Sequence, residues 1–185
     1  MTTANTITLA RIALIPAFMI FVYLDFPSSN WIALFFFSIA SLTDGIDGYI
    51  ARKYNQVTNF GKFIDPLADK LLVTAAILIF VEQGRMPAVM AILILSREFI
   101  VTSLRVVAIS QGKVIAAALS GKIKTVTQII CIIIMLTPFA SIVFLGVSLN
   151  DIAAWVMTIV TLYSGYDYLK NGAHFISGEI AGNQS

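Results

Sequence analysis

Trp31-Ile32-Ala33-Leu34-Phe35-Phe36-Phe37-Ser38-Ile39-Ala40-Ser41-Leu42-Thr43-Asp44-Gly45-Ile46-Asp47-Gly48-Tyr49-Ile50-Ala51-Arg52 runs from an apolar tract into paired acids and ends on a base. From Trp31 to Asp44 is about 20 Å of helix at 1.5 Å per residue, and Arg52 stands about 12 Å further on. A hydrocarbon core of about 30 Å needs roughly 20 helical residues, so this stretch spans a bilayer. It carries its acids about 10 Å below the far interface. A mid-helix Asp in a bilayer costs at least about 2.5–3.5 kcal/mol, which makes an acid kept there a functional candidate.

The rest of the chain suits that solvent. Of 185 residues 58% are hydrophobic and 12% charged, against about 25% charged in ordinary soluble domains. Mean hydropathy is +0.89. The length suits one domain over 1–185, with the polar, glycine-containing end at 177–185 expected to fray. A net charge of +2 gives no footing for nucleic acid. The lone Cys131, inside an isoleucine-rich run, cannot close an intrachain disulfide and reads as a small buried filler. No cleavable leader is expected. Met1 to Thr6 carries no Lys or Arg, and the first apolar run ends on Leu24-Asp25-Phe26-Pro27.

Apolar runs between breaks predict an all-α, polytopic membrane fold of six spans: Thr6–Tyr23, Trp31–Arg52, Phe63–Val81, Pro87–Ile109, Ile123–Thr137 and Ile152–Leu169. Short connections make neighbouring helices antiparallel. Arg52, Lys53 and Lys62 flank the second connection; Lys113, Lys122 and Lys124 belong to the fourth; Lys170 follows the last span. The alternate connections hold only Arg85. By the positive-inside rule both termini and the two basic loops face the cytosol across the cell membrane.

Four of the ten acids fall close together: Asp44, Asp47, Asp65 and Asp69. The first pair is i,i+3 and the second i,i+4, so each lies on one face of its helix, and a hairpin lets the faces converge. Converging carboxylates repel unless a cation sits among them, and all-oxygen donors select hard ions such as Mg²⁺, Mn²⁺ or Ca²⁺ over zinc. Gly48, Ala51 and Gly61 recur on or beside the acidic faces, leaving room for a flat or bulky ligand near the backbone. Taken singly, each feature has a plainer reading. A carboxylate near a helix end can anchor or pair, Gly and Ala pack membrane helices, and Arg52 can mark topology. Their common register is what argues for a site.

Asp44 to Arg52, eight residues, then Gly61-Lys62-Phe63-Ile64-Asp65-Pro66-Leu67-Ala68-Asp69 resembles the signature of the CDP-alcohol phosphotransferases. That signature reads D-x-x-D-G-x-x-A-R, a spacer, then G-x-x-x-D-x-x-x-D, and all eight specified positions are filled. Thr8-Leu9-Ala10-Arg11, Asp69-Lys70, Ser96-Arg97-Glu98 with Arg105, and Gly121-Lys122-Ile123-Lys124-Thr125 look most like the family branch that makes phosphatidylglycerophosphate. The likeness runs through about the first 130 residues.

The resemblance implies a phosphatidyltransferase that moves the phosphatidyl group of CDP-diacylglycerol to sn-glycerol 3-phosphate, releasing CMP. It implies that Asp44, Asp47, Asp65 and Asp69 ligate one or two divalent ions, Mg²⁺ or Mn²⁺, on the donor diphosphate. Gly48, Ala51 and Gly61 would admit the nucleotide, Arg52 would support it, and Asp69 would be general base on the acceptor hydroxyl. A homodimer with a separate site per chain is implied too. Arg105, Lys122 and Lys124 are candidates for the acceptor phosphate, or simple cytosolic anchors. Arg11 either snorkels to the interface or reaches a substrate phosphate. Arg97 and Glu98, adjacent on a helix and therefore pointing apart, need partners at their depth. His174 reads as interfacial. A sister transferase with inositol phosphate, serine or phosphatidylglycerol as acceptor is the runner-up. A divalent-cation transporter fits less well, since transporters hold coupling ions near the midplane in repeated, broken helices. A scaffold protein would tolerate loss of Asp69.

Overall fold

The apolar runs fold as helices in the computed structural model. The structure describes residues 3–24, 26, 28–53, 59–110, 119–144 and 146–182, with side chains over 8–24, 26, 28–43, 67–68, 70–106, 108, 119–144 and 146–170. Six α-helices are found among them: α1 (Thr3–Tyr23), α2 (Ser29–Lys53), α3 (Asn59–Glu82), α4 (Ala88–Ser110), α5 (Leu119–Leu136) and α6 (Leu149–Gly182). Each covers nearly all of one expected span. A 3-10 turn, Pro138–Ser141, and two short strands, β1 (Val143–Phe144) and β2 (Val147–Ser148), join α5 to α6.

Two details depart from expectation. The all-α reading omitted the small antiparallel hairpin, which pairs Val143 with Ser148 and Phe144 with Val147. Gly146 supplies the turn at φ +84°, a conformation closed to most side chains. The helix α6 extends past the expected sixth span, as far as Gly182. No proline interrupts 149–182, and Ala173, Glu179 and Ala181 are good helix formers, so the polar composition did not stop the helix.

Contacts at one pole gather alternate helix ends. Tyr23, closing α1, donates to Glu82, closing α3. Arg85, between α3 and α4, donates to the Met135 carbonyl in the last turn of α5, one of the carbonyls that a helix end leaves unmet. Its own carbonyl accepts from Asn150 Nδ2 at 2.6 Å, at the start of α6, and its guanidinium lies 5.1 Å over the Phe80 ring. Trp31, opening α2, meets Phe139 edge-on at 6.3 Å. Burial pushes Arg85 below the usual guanidinium range. Ser148 caps α6, accepting from the Asp151 amide at 3.0 Å and donating to its carboxylate at 2.7 Å, a serine–acid cap that also sets a negative charge at the helix N-terminus. The six helices therefore run alternately up and down.

Around the bundle the packing order is α1, α2, α5, α6, α4, α3, and α3 also meets α2 and α5 across the middle. Phe18 packs on Phe37 at 5.7 Å, and Phe21 stacks on Phe36 at 5.2 Å, joining α1 to α2. Phe35 faces out. On α6, Trp155, Val156, Ile159, Leu162 and Tyr166 are exposed while Thr158, Thr161 and Ser164 are buried. A helix on a water-soluble core shows the reverse. An apolar outer face and a small, polar inner one is the arrangement of a helix in lipid. By length and composition one described helix, Leu119–Leu136, is apolar enough to cross a membrane, and Thr8–Tyr23 and Ser29–Thr43 are shorter apolar stretches.

Candidate functional site

The signature falls on two helices that pack together. Asp44, Asp47, Gly48, Ala51 and Arg52 lie on α2, and Gly61, Asp65 and Asp69 on α3. Both segments approach the pole opposite the Arg85 cluster. The side chains of these eight residues, and of His174, lie outside those described. Ala68, beside Asp69, is fully buried, and Leu72 is nearly so, so α3 is anchored in the core directly past the signature.

Next to Asp69 begins a described polar network that the sequence only hinted at. Lys70 donates to the Thr102 hydroxyl on α4, and Thr102 donates to the Glu98 carbonyl at 2.7 Å. The Glu98 carboxylate pairs with Lys124 of α5 and lies 3.6 Å from the Arg97 guanidinium. Arg97 and Glu98 therefore do approach each other, although adjacent residues point in different directions on a helix. A long, flexible guanidinium can fold back towards its neighbour. The second Arg97 anchor is Ser164 of α6, at 2.6 Å. Inside lipid each of these charges would be costly alone; paired and hydrogen-bonded, they are tolerated. Ser120 and Asp167 join α5 to α6 nearby.

Lys70, Val73 and Thr74 of α3, Leu95 and Glu98 of α4, and Lys124, Thr125 and Gln128 of α5 line a cavity of about 50 Å³. Of the four cations expected at the acceptor phosphate, Lys124 alone lines it. Arg105 and Lys122 are exposed. Arg11 is buried, at 1% exposed. Cys131 is buried, as its setting suggested. Thr102 and Gln128 were not singled out from sequence, and Lys70 only as part of the Asp69-Lys70 stretch. A signal existed for one of them: Lys124 and Gln128 are i,i+4 on α5, hence on one face.

A family model described as CDP-alcohol phosphatidyltransferase matches residues 1–163. The chain is 48% identical over 178 residues to the CDP-diacylglycerol–glycerol-3-phosphate 3-phosphatidyltransferase of Bacillus subtilis strain 168, covering 90% of this chain and 92% of that one. Proteins of the same name from Rickettsia bellii strain RML369-C and Haemophilus influenzae strain Rd are 38% and 36% identical over 168 residues. The first alignment covers 90% of this chain and 92% of the relative, the second 89% of each.

Proposed function

Because the chain belongs to the CDP-alcohol phosphatidyltransferase family, we propose that it transfers the phosphatidyl group of CDP-diacylglycerol to sn-glycerol 3-phosphate. The products are phosphatidylglycerophosphate and CMP. The observation that carries this reading is the complete eight-residue signature on the packed helices α2 and α3. The names of relatives up to 48% identical supply the acceptor.

Asp44, Asp47, Asp65 and Asp69 are an all-oxygen donor set suited to a hard divalent cation, Mg²⁺ or Mn²⁺. Held by these carboxylates, such an ion would neutralise the donor diphosphate and ease departure of CMP. Gly48, Ala51 and Gly61 leave room for the nucleotide, and Arg52 supports its charge. Asp69 accepts the proton of the acceptor hydroxyl as oxygen attacks phosphorus. A carboxylate beside a cation is a weak base, so positioning supplies much of the rate. Lys124 offers its charge to the acceptor phosphate, with Arg105, Lys122 and Arg11 as further cations towards the same pole.

The protein sits in the cell membrane with six spans, both termini and the signature facing the cytosol. The alternation of helix ends and the concentration of Lys and Arg at the signature pole support this. It assembles as a homodimer with one site per chain, a reading that rests on the family likeness alone.

The test is purified protein with CDP-diacylglycerol, Mg²⁺ or Mn²⁺ and a panel of alcohols, scored by CMP release. Glycerol 3-phosphate alone supports fast turnover, chelator stops it, and Asp69→Asn loses at least about a hundredfold in kcat while still binding nucleotide. Equal turnover with inositol phosphate removes the acceptor assignment. Full activity in chelator removes the metal.

A further inference from the structure

α1 and α3 both run from the signature pole to the Arg85 pole, and a groove of about 480 Å³ lies between them. Ile12 and Leu71 line one end of it, Tyr23 and Glu82 the other. Ile12 to Tyr23 and Leu71 to Glu82 are each about 16 Å of helix at 1.5 Å per residue. That is about half of a 30 Å hydrocarbon core, so the groove spans one leaflet, the one at the Arg85 pole. Two small residues, Pro16 and Ala75, line its middle and leave it hollow. Leu71 and Leu78 on its wall are exposed, so it opens sideways to the surrounding chains. An apolar hollow stays dry, and its walls lack dispersion contacts until hydrocarbon fills it.

The groove is charged at one end only. Tyr23 donates to Glu82 there, and Glu82 is exposed and meets no base among the described residues. Arg85, the one base in the adjoining connection, is turned to the Met135 carbonyl and the Phe80 ring. The connection after Tyr23 adds Asp25 and no Lys or Arg. A lipid with its head at the signature pole would end its chain against a carboxylate. One with its head beside Glu82 sets polar against polar and its methyl end against Ile12 and Leu71. The acidic rim then selects the head: a net-negative lipid is repelled and an ammonium attracted.

We propose that this groove binds a bilayer lipid of the leaflet at the Arg85 pole, one whose zwitterionic head carries an ammonium. One acyl chain lies between α1 and α3, and the ammonium sits beside Glu82. The site is separate from the signature, and the proposal goes beyond the phosphatidyl-transfer reading without depending on it.

The test takes the full chain, stripped of lipid in detergent, and titrates it with phosphatidylethanolamine and phosphatidylglycerol of identical chains. Bound lipid is counted by native mass spectrometry. Wild-type protein is expected to bind phosphatidylethanolamine about fivefold or more tighter than phosphatidylglycerol. Glu82→Gln keeps an acceptor for Tyr23 and removes the charge, and should bring the two within about twofold. Ala75→Phe fills the middle of the groove and should weaken both by about tenfold or more. Melting temperatures check folding, and if Ala75→Phe does not fold, Glu82→Gln decides. The KM for CDP-diacylglycerol, read by CMP release, should stay at the wild-type value in both variants. Equal affinity for the two lipids in wild-type protein overturns the proposal, and so does a preference that survives Glu82→Gln. A raised donor KM in Ala75→Phe gives the groove to the donor's chains instead. A dimer that dissociates in Ala75→Phe, with bound lipid unchanged, gives it to a second copy; either result overturns the lipid site. Protein that releases no CMP removes the transferase reading, and the binding titrations then decide the groove by themselves.

Discussion

Glu98 is the carboxylate that pairs with the buried cations Lys124 and Arg97 beside the signature. Its side chain is 17% exposed and that of Lys124 7%, so the pair is largely out of water. Removing one member of a buried pair costs far more than replacing both, because the remaining charge loses its compensation. Glu98→Ala is therefore expected to destabilise the protein by about 3–5 kcal/mol. The double variant Glu98→Leu with Lys124→Met returns most of that stability and none of the activity. Thermal melts in one detergent give the ordering, and a Glu98→Ala melt equal to wild type would show that the pair holds nothing. This pairing was not legible in the sequence, where 98 and 124 are distant and nothing marks them as partners. The four aspartates were legible because their spacing is dense and their cost in lipid is high. The acceptor cations were legible only in part: charge near the cytosolic end picked out Arg105, Lys122 and Lys124 alike. Burial, which separates Lys124 from the exposed other two, is a tertiary property.

At the scale of the element, α6 is the helix whose role the sequence left most open. It reads as generic apolar helix, yet it packs on both α4 and α5 and closes that side of the bundle. The inner face does this with small residues. A Cβ added at Gly165 would stand 2.9 Å from Arg97 Cγ, too near for either atom, and Cγ is too close to the α4 backbone to swing away freely. Gly165→Ala must therefore push Arg97 off Ser164 or part the helices, at about 1–3 kcal/mol. Gly121→Ala is the control, because a Cβ there meets nothing within 4 Å, and within a helix alanine is the better residue. Melts should place Gly165→Ala below wild type and Gly121→Ala at or above it; the opposite order removes the close approach as a constraint. The existence of all six helices followed from apolar runs of bilayer length. Their order around the bundle did not, because lipid-facing and protein-facing apolar residues look alike in sequence. The length of α6 was not read because the apolar run ends near Leu169, while the helix goes on through polar residues without a proline.

For the molecule as a whole, the consequential claim is which pole faces which solvent. Among the connections at the Arg85 pole the sole basic residue is Arg85 itself, and it is occupied with the ends of α5 and α6. It is therefore a structural charge more than a topological one, and the asymmetry between the poles is stronger than a count of Lys and Arg suggests. The six-span orientation then predicts opposite exposure for Ser141, at the Arg85 pole, and Lys170, towards the signature pole, both of which are exposed on the chain. A single cysteine is placed at either position, and intact cells are treated with a maleimide that cannot cross membranes. Ser141→Cys should be labelled at once, and Lys170→Cys only after the cells are made permeable. Native Cys131 is 4% exposed and in an apolar run, so the unaltered protein should give almost no signal and no background correction is needed. Labelling in the reverse order would turn the signature outward, away from a cytosolic pool of phosphorylated acceptor, and the proposed reaction would lose its substrate. Labelling of both positions in intact cells would mean that an even number of spans separates them, and the alternation of the six helices would have to be redrawn.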